Sequence, residues 1–180
     1  SSTSFPDFCE MTGLSVNSIV DAASTKPYGF TPFRSWIGVG GDCIPVDPHF
    51  LIESDPKIKW PILSNSMAAM HSRPRKLAKA RVSDIKLGKV MVCGVSYKPN
   101  VSDTSDAPQS DFVRTLKEHN VEVDYFDPLV RDSQGLKRLT TDGLMDAVGD
   151  YDRVFVKHKH DICKAEFEQL RGLANVEFFE

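Results

Sequence analysis

The chain has 180 residues, 41% hydrophobic and 26% charged, an ordinary globular balance with room for one domain or one domain plus a helical piece. Its 22 basic residues stand against 25 acidic ones, a net charge of -3, which argues against a generic nucleic-acid binder. No apolar run approaches the roughly 20 residues of a membrane helix, and four scattered cysteines form neither a C-x-x-C zinc pair nor a disulfide scaffold. A reducing cytoplasm, no membrane and no metal are the expectations.

Ser1 to Ser4 carries no basic stretch leading into an apolar one, so no signal peptide is read there. Pro6 to Thr12 reads as the end of a helix, with Gly13 as a left-handed stop. Ser15 then caps a second helix whose apolar face is Val16, Ile19, Val20 and Ala23. From Thr25 to Pro48 the prolines and glycines forbid regular structure, and so long a loop is functional or disordered. A helix is expected near Pro61–Met70, and another beginning around Pro74 in its first turn. Arg73, Arg75, Lys76, Lys79 and Arg81 make that segment basic, either a phosphate patch or a solvated helix face; no aromatics interleave to stack bases.

After residue ~86 the pattern changes. Lys89 to Val95 is a near-continuous apolar run, as a strand buried on both faces requires. A loop from Ser96 to Asp106 leads into a helix with Pro108 near its start and Phe112, Val113 and Leu116 inward, stopped at Asn120. Val121, Val123 and Tyr125 alternate as a second strand ended by Asp127-Pro128. Helices near Asp142–Val148 and Ala165–Leu170 precede strands at Arg153–Val156 and Val176–Phe179. The alternation predicts an α/β fold, a Rossmann-like parallel sheet with right-handed crossovers over residues 87–180, preceded by a small helical segment over 1–86.

The first β-α turn, Gly94 to Asp106, has one glycine where a dinucleotide fold needs G-x-G-x-x-G, so this half is not read as an NAD site despite Asp127 ending the second strand. Lys98 sits at a strand's carboxyl end beside a helix N-terminus, where a phosphate would be favoured; a solvated surface lysine is the other reading. In Gly38-Val39-Gly40-Gly41-Asp42-Cys43-Ile44-Pro45-Val46-Asp47-Pro48, paired glycines leave the thiol unshielded and set a carboxylate four residues on. Cys43 is then a nucleophile with Asp47 as base or water-orienting group, or else a small buried hydrophobe. Cys9, Cys93 and Cys163 fall on helical or strand patterns and read as core. His158 and His160 read as a surface pair at a strand end, with no third metal ligand positioned.

Thr25-Lys26-Pro27-Tyr28-Gly29-Phe30-Thr31-Pro32-Phe33 followed by the Gly38–Pro48 segment resembles the UDP-glucose/GDP-mannose dehydrogenase family, and Cys43-Ile44-Pro45-Val46-Asp47-Pro48 looks closest to members acting on UDP-N-acetylhexosamines. Gly94 to Val101 and Val123 to Pro128 resemble that family's C-terminal UDP-binding domain. The resemblance implies oxidation of a sugar's primary alcohol to a carboxylate with two NAD+, in a cytoplasmic homodimer. It makes Cys43 the residue that attacks the aldehyde-level intermediate and Asp47 its partner in proton transfer. It assigns Phe33, Gly40, Gly41, Tyr97 and Lys98 to the UDP-sugar. Several features depart from the family pattern. The NAD-binding domain has no counterpart, nor do the catalytic lysine and asparagine of the central helices. Ser105 stands where an arginine is usual, and Ser35-Trp36-Ile37-Gly38 replaces Pro-Gly-Pro-Gly. The expectation is therefore a C-terminal portion of a nucleotide-sugar 6-dehydrogenase, inactive alone. The alternative is a non-catalytic nucleotide-sugar-binding or assembly module.

Overall fold

The apolar run that opens the second half becomes the middle strand of a sheet. A computed structural model describes residues 4–34, 37–86 and 88–179. Strands β1 (Lys89–Cys93), β2 (Glu122–Phe126), β3 (Lys137–Leu139), β4 (Arg153–Val156) and β5 (Val176–Phe178) form one sheet in the order β3-β2-β1-β4-β5. All pairs are parallel, with Val92 opposite Tyr125 on one side and Phe155 on the other. The chain winds outward from β1 to β3, then returns to β1's other edge as β4, which leaves a crevice between the carboxyl ends of β1 and β4.

Alternating strand residues feed two cores. Val90, Val92, Val123, Tyr125 and Phe155 face α5 (Gln109–Glu118) through Phe112, Val113 and Leu116. Met91, Cys93, Val154 and Val156 face α6 (Thr141–Ala147) and α7 (Lys164–Leu170) through Leu144, Phe167 and Leu170. Each fully buried aromatic or leucine here contributes roughly 1.5–3 kcal/mol by leaving water. β3 was not foreseen: its Lys137 and Arg138 are exposed on an edge strand, and only Leu139 is buried.

Before the sheet come α1 (Phe5–Thr12), α2 (Val16–Ser24), α3 (Asp47–Ser54) and α4 (Pro61–Val82). α1 is a complete short helix rather than a helix end: Ser4 and Asp7 form a reciprocal capping box, and Gly13 closes it at φ 71°. Ser15 caps α2 as expected, through its side chain and Ser18 N–H. α3 went unrecognised: it starts on the last two residues of the Pro/Gly-rich loop and runs beyond it. The two helices expected either side of Met70 are one 22-residue helix, with Pro74 inside it. Proline lacks a donor and crowds the preceding turn, but Met67, Pro74, Leu77 and Ala78 are all buried, and that packing carries the helix through. The basic residues of α4 are a paired face rather than a free patch: Arg73 and Lys76 meet Asp7, and Arg81 meets Glu10 and Glu177. No helix among the described residues is long and apolar enough to cross a membrane.

Candidate functional site

At the carboxyl ends of β1 and β4 the helical half and the sheet meet in a cavity of about 700 Å3, lined by the start of α1, one face of α4, the Gly38–Gly40 loop, and Tyr97 and Lys98. Three cations border it. Arg34 is paired with Asp21 and Arg73 with Asp7, whereas Lys98 has no acidic partner among the described residues and lies 5.2 Å above the Tyr97 ring. The Tyr97 hydroxyl and ring favour the charged ammonium and raise the Lys98 pKa.

The glycines on the rim have a packing reason. A Cβ on Gly38 would stand 2.8 Å from Pro108 Cβ, and Gly41 has φ +89° with the Tyr97 ring beside it. The loop thus lies on Tyr97 and on Pro108, the residue that opens α5. Gly40, Gly41, Tyr97 and Lys98, four of the expected binding residues, are brought together here. Phe33 is 81% exposed and does not line the cavity. Cys43 is exposed in the turn that starts α3, and its carbonyl accepts the Asp47 N–H at 2.8 Å, so thiol and carboxylate sit one helical turn apart outside the cavity lining. Ser35 and Trp36, the altered part of the loop, lie outside the described residues, as does Glu180.

Under Tyr97 and Lys98 is a buried polar network that sequence reasoning missed. Lys157, His158 and His160 follow β4 directly and are 1%, 4% and 0% exposed, so the expected surface histidine pair is an interior one. The two carboxylate oxygens of Asp127 accept N–H groups from Val95, Ser96, Leu129 and Val130. His160 Nδ1 accepts the Asn100 N–H at 2.9 Å, which leaves the proton on Nε2, 3.1 Å from Asp127 Oδ2. Ser96 Oγ donates to the Lys98 carbonyl, so His158 Nε2 donates to Ser96 Oγ at 3.0 Å, and His158 Nδ1 is left buried without a partner among the described residues. Lys157 Nζ donates to the carbonyls of Ser96 (2.7 Å) and Tyr97 (2.9 Å), and the Gln109 side chain donates to those of Val95 and Ser96. Burial pushes Lys157 down to about 7 against the pull of Asp127, and burial with the neighbouring Lys157 and His160 charges pushes His158 down to about 3. Burial would raise Asp127, but His160 and the backbone donors hold it below the ordinary carboxylate range. A run of polar residues straight after an apolar strand was the available signal.

Two cofactor expectations can be tested on this geometry. Ligand atoms of Asp127, His158 and His160 lie within 4.8 Å of one another, the spacing of a possible metal trio. Both Asp127 oxygens and both His160 nitrogens are already committed to hydrogen bonds, so the arrangement does not fit an ion. Nor does the first β-α turn fit a dinucleotide. Gly94 is filled against the His158 carbonyl, 2.8 Å from where a Cβ would be, and Asp127 has no oxygen to offer a ribose.

Family comparison covers both parts of the chain. Residues 2–71 match the central domain of the UDP-glucose/GDP-mannose dehydrogenase family, and residues 91–179 match its UDP binding domain. The chain belongs to that family. It is 32% identical over 128 residues to a UDP-N-acetyl-D-glucosamine 6-dehydrogenase of Pseudomonas aeruginosa, covering 66% of this chain and 30% of that one. It is 29% identical over 176 residues to a UDP-N-acetyl-D-mannosamine dehydrogenase of Methanocaldococcus jannaschii, covering 95% and 39%. Among solved structures it resembles a UDP-N-acetyl-mannosamine dehydrogenase from S. aureus, with 25% identity and a TM-score of 0.68 over 86% of this chain and 36% of that one. The chain therefore spans well under half the length of these relatives.

Proposed function

We propose that this chain binds a UDP-sugar in the 700 Å3 cavity, as the nucleotide-sugar half of a 6-dehydrogenase site. The observation that carries the reading is the meeting of Gly40, Tyr97 and Lys98, which has no acidic partner among the described residues, in one cavity at the strand-order reversal, where open α/β sheets take ligands. Lys98 supplies charge to the diphosphate, Tyr97 an aromatic edge, and Gly40 and Gly41 close backbone approach. Phe33, on the loop leading in, covers the bound sugar nucleotide. Cys43 adds through its thiolate to the aldehyde carbon, forming the C–S bond while the carbonyl oxygen takes a proton; Asp47 serves proton transfer or holds the hydrolytic water. The division at residues 86 and 87, and assembly as a homodimer, belong to the same reading.

Alone, the chain does not sustain sugar oxidation, because the turn that would hold a dinucleotide is filled from within. Calorimetric titration with UDP and UDP-N-acetylglucosamine, beside Lys98→Ala, tests the binding. Loss of the heat signal in the variant supports it, and no binding by the unaltered chain refutes it. Sustained NADH formation from NAD+ and UDP-N-acetylglucosamine would refute the inactivity.

A non-catalytic module is the second reading. Ser105, standing where the family usually has arginine, is held in a tight turn by its N–H to Asp103 at 2.8 Å and supplies no cation. An unchanged function of a longer parent chain carrying Cys43→Ala would favour it.

A further inference from the structure

Every carbonyl from Val95 to Lys98 accepts a side-chain hydrogen bond: Gln109 serves Val95 and Ser96, Ser96 Oγ serves Lys98, and the Lys157 ammonium serves both Ser96 and Tyr97. We propose that Lys157 is a positioning residue, whose charged Nζ holds the Ser96 and Tyr97 carbonyls so that Lys98 is presented to the diphosphate. The proposal rests on the UDP-sugar reading above and adds a residue that no motif in the chain marks.

The geometry argues for more than packing. Lys157 is 1% exposed, among Val156, Cys93 and Ser96, where an apolar side chain would avoid the desolvation of an ammonium. Its reach across from the end of β4 to the loop beyond β1 bridges the two strands that border the crevice. Its charge lies one peptide unit from Lys98, in a setting that screens poorly.

The titratable groups around it are Asp127 beyond β2, His158 and His160 beyond β4, Cys93 on β1, Cys163 before α7, and Tyr97 and Lys98 on the loop. Burial drives Lys157 to about 7, while His158 is near 3, Cys163 about 11 and Cys93 higher still, and Asp127 and Lys98 are shifted toward their charged forms. Among Lys157, His158, Cys93, Cys163, Asp127 and Lys98, Lys157 is the one whose proton is lost near neutrality. Once neutral it still donates two N–H bonds, but without charge assistance and without its field at the cavity.

The experiment is calorimetry with UDP-N-acetylglucosamine, whose diphosphate is esterified at both ends and keeps a fixed charge between about pH 6 and pH 9. Affinity of the unaltered chain should fall about tenfold across that range. Lys157→Met should bind about tenfold more weakly at the acid end and show a flat profile; Lys98→Ala should bind weakly but keep the slope. Wild-type affinity and slope in Lys157→Met would overturn the proposal. In parallel, the Tyr97 and Lys98 backbone amide resonances of the ligand-free chain should titrate together near pH 7. Failure of any chain to bind would sink the UDP-sugar reading, and the amide titration would then decide the positioning role alone. The same titration decides it if Lys157→Met fails to fold, since amides indifferent to pH near 7 would overturn the role.

Discussion

Gly40 lies so close to Pro108 that a Cβ on it would stand 2.9 Å from the proline Cδ and 3.0 Å from the Asp106 carbonyl oxygen. Neither neighbour is a flexible side-chain end. Gly40→Ala should therefore push the loop off the start of α5, weaken UDP-sugar binding, and cost about 1–3 kcal/mol of stability. Gly149→Ala is the control: nothing lies within 4 Å of its Cβ position and its φ is not in the left-handed region, so it should be neutral or slightly stabilising. Thermal unfolding of both variants checks the contrast.

Asp127 gathers four backbone N–H groups and the His160 Nε2 proton around one buried carboxylate. Asp127→Asn replaces one acceptor oxygen with an NH2 that faces donors. A loss of about 3 kcal/mol is expected, within the range for breaking a buried charged network. Denaturant titration at neutral pH measures it, and a loss near zero would mean that the network relaxes around the amide.

Four of the five strands could be read from the chain because β1 and β4 are apolar runs and Val121, Val123 and Tyr125 alternate into β2, and the Gly13, Ser15 and Asn120 signals are local. β3 escaped because a three-residue edge strand buries one side chain, and α4 was split in two because Pro74 breaks a helix unless tertiary packing holds it. The same limit applies to the site. Lys98 and the glycine loop are marked by motif and by their place in the topology. Lys157, His158 and Asp127 act through distances that only folding creates, and charged residues after a strand look like surface until β1 and β4 are placed side by side.

His158 should make the protein acid-sensitive. Burial and the nearby positive charges lower it to about 3, against roughly 6.5 in an unfolded chain. Between those values the unfolded state binds the extra proton, so stability falls as pH falls, by at most about 1.4 kcal/mol per pH unit. His158→Gln should remove that part of the slope. An unchanged acid limb would show that His158 is not the group titrating.

Cys43 is the exposed thiol of the chain, while Cys9, Cys93 and Cys163 are buried. Burial also pushes the Cys163 thiol up to about 11 and Cys93 further, which removes their thiolates at neutral pH. Labelling of the native protein with a chromogenic disulfide reagent should therefore show one fast thiol, absent in Cys43→Ala, with the others reacting only after denaturant is added. Fast labelling in Cys43→Ala would place a second thiol at the surface.

Lys157 gives a stability profile of the same sign as that of His158, displaced toward alkaline pH. Its folded value of about 7 lies below the 10.5 of an unperturbed lysine. Below the lower value both states hold the proton, and the full penalty of burying the ammonium is present. Between the two, the unfolded chain keeps a proton that the folded chain has released, so the stability difference between wild type and Lys157→Met should grow in favour of wild type as pH rises. The slope is at most about 1.4 kcal/mol per unit. Comparing the two proteins, rather than following one, cancels the other lysines and tyrosines that titrate in alkali. A difference that stays constant across this range would mean that Lys157 remains charged in the fold.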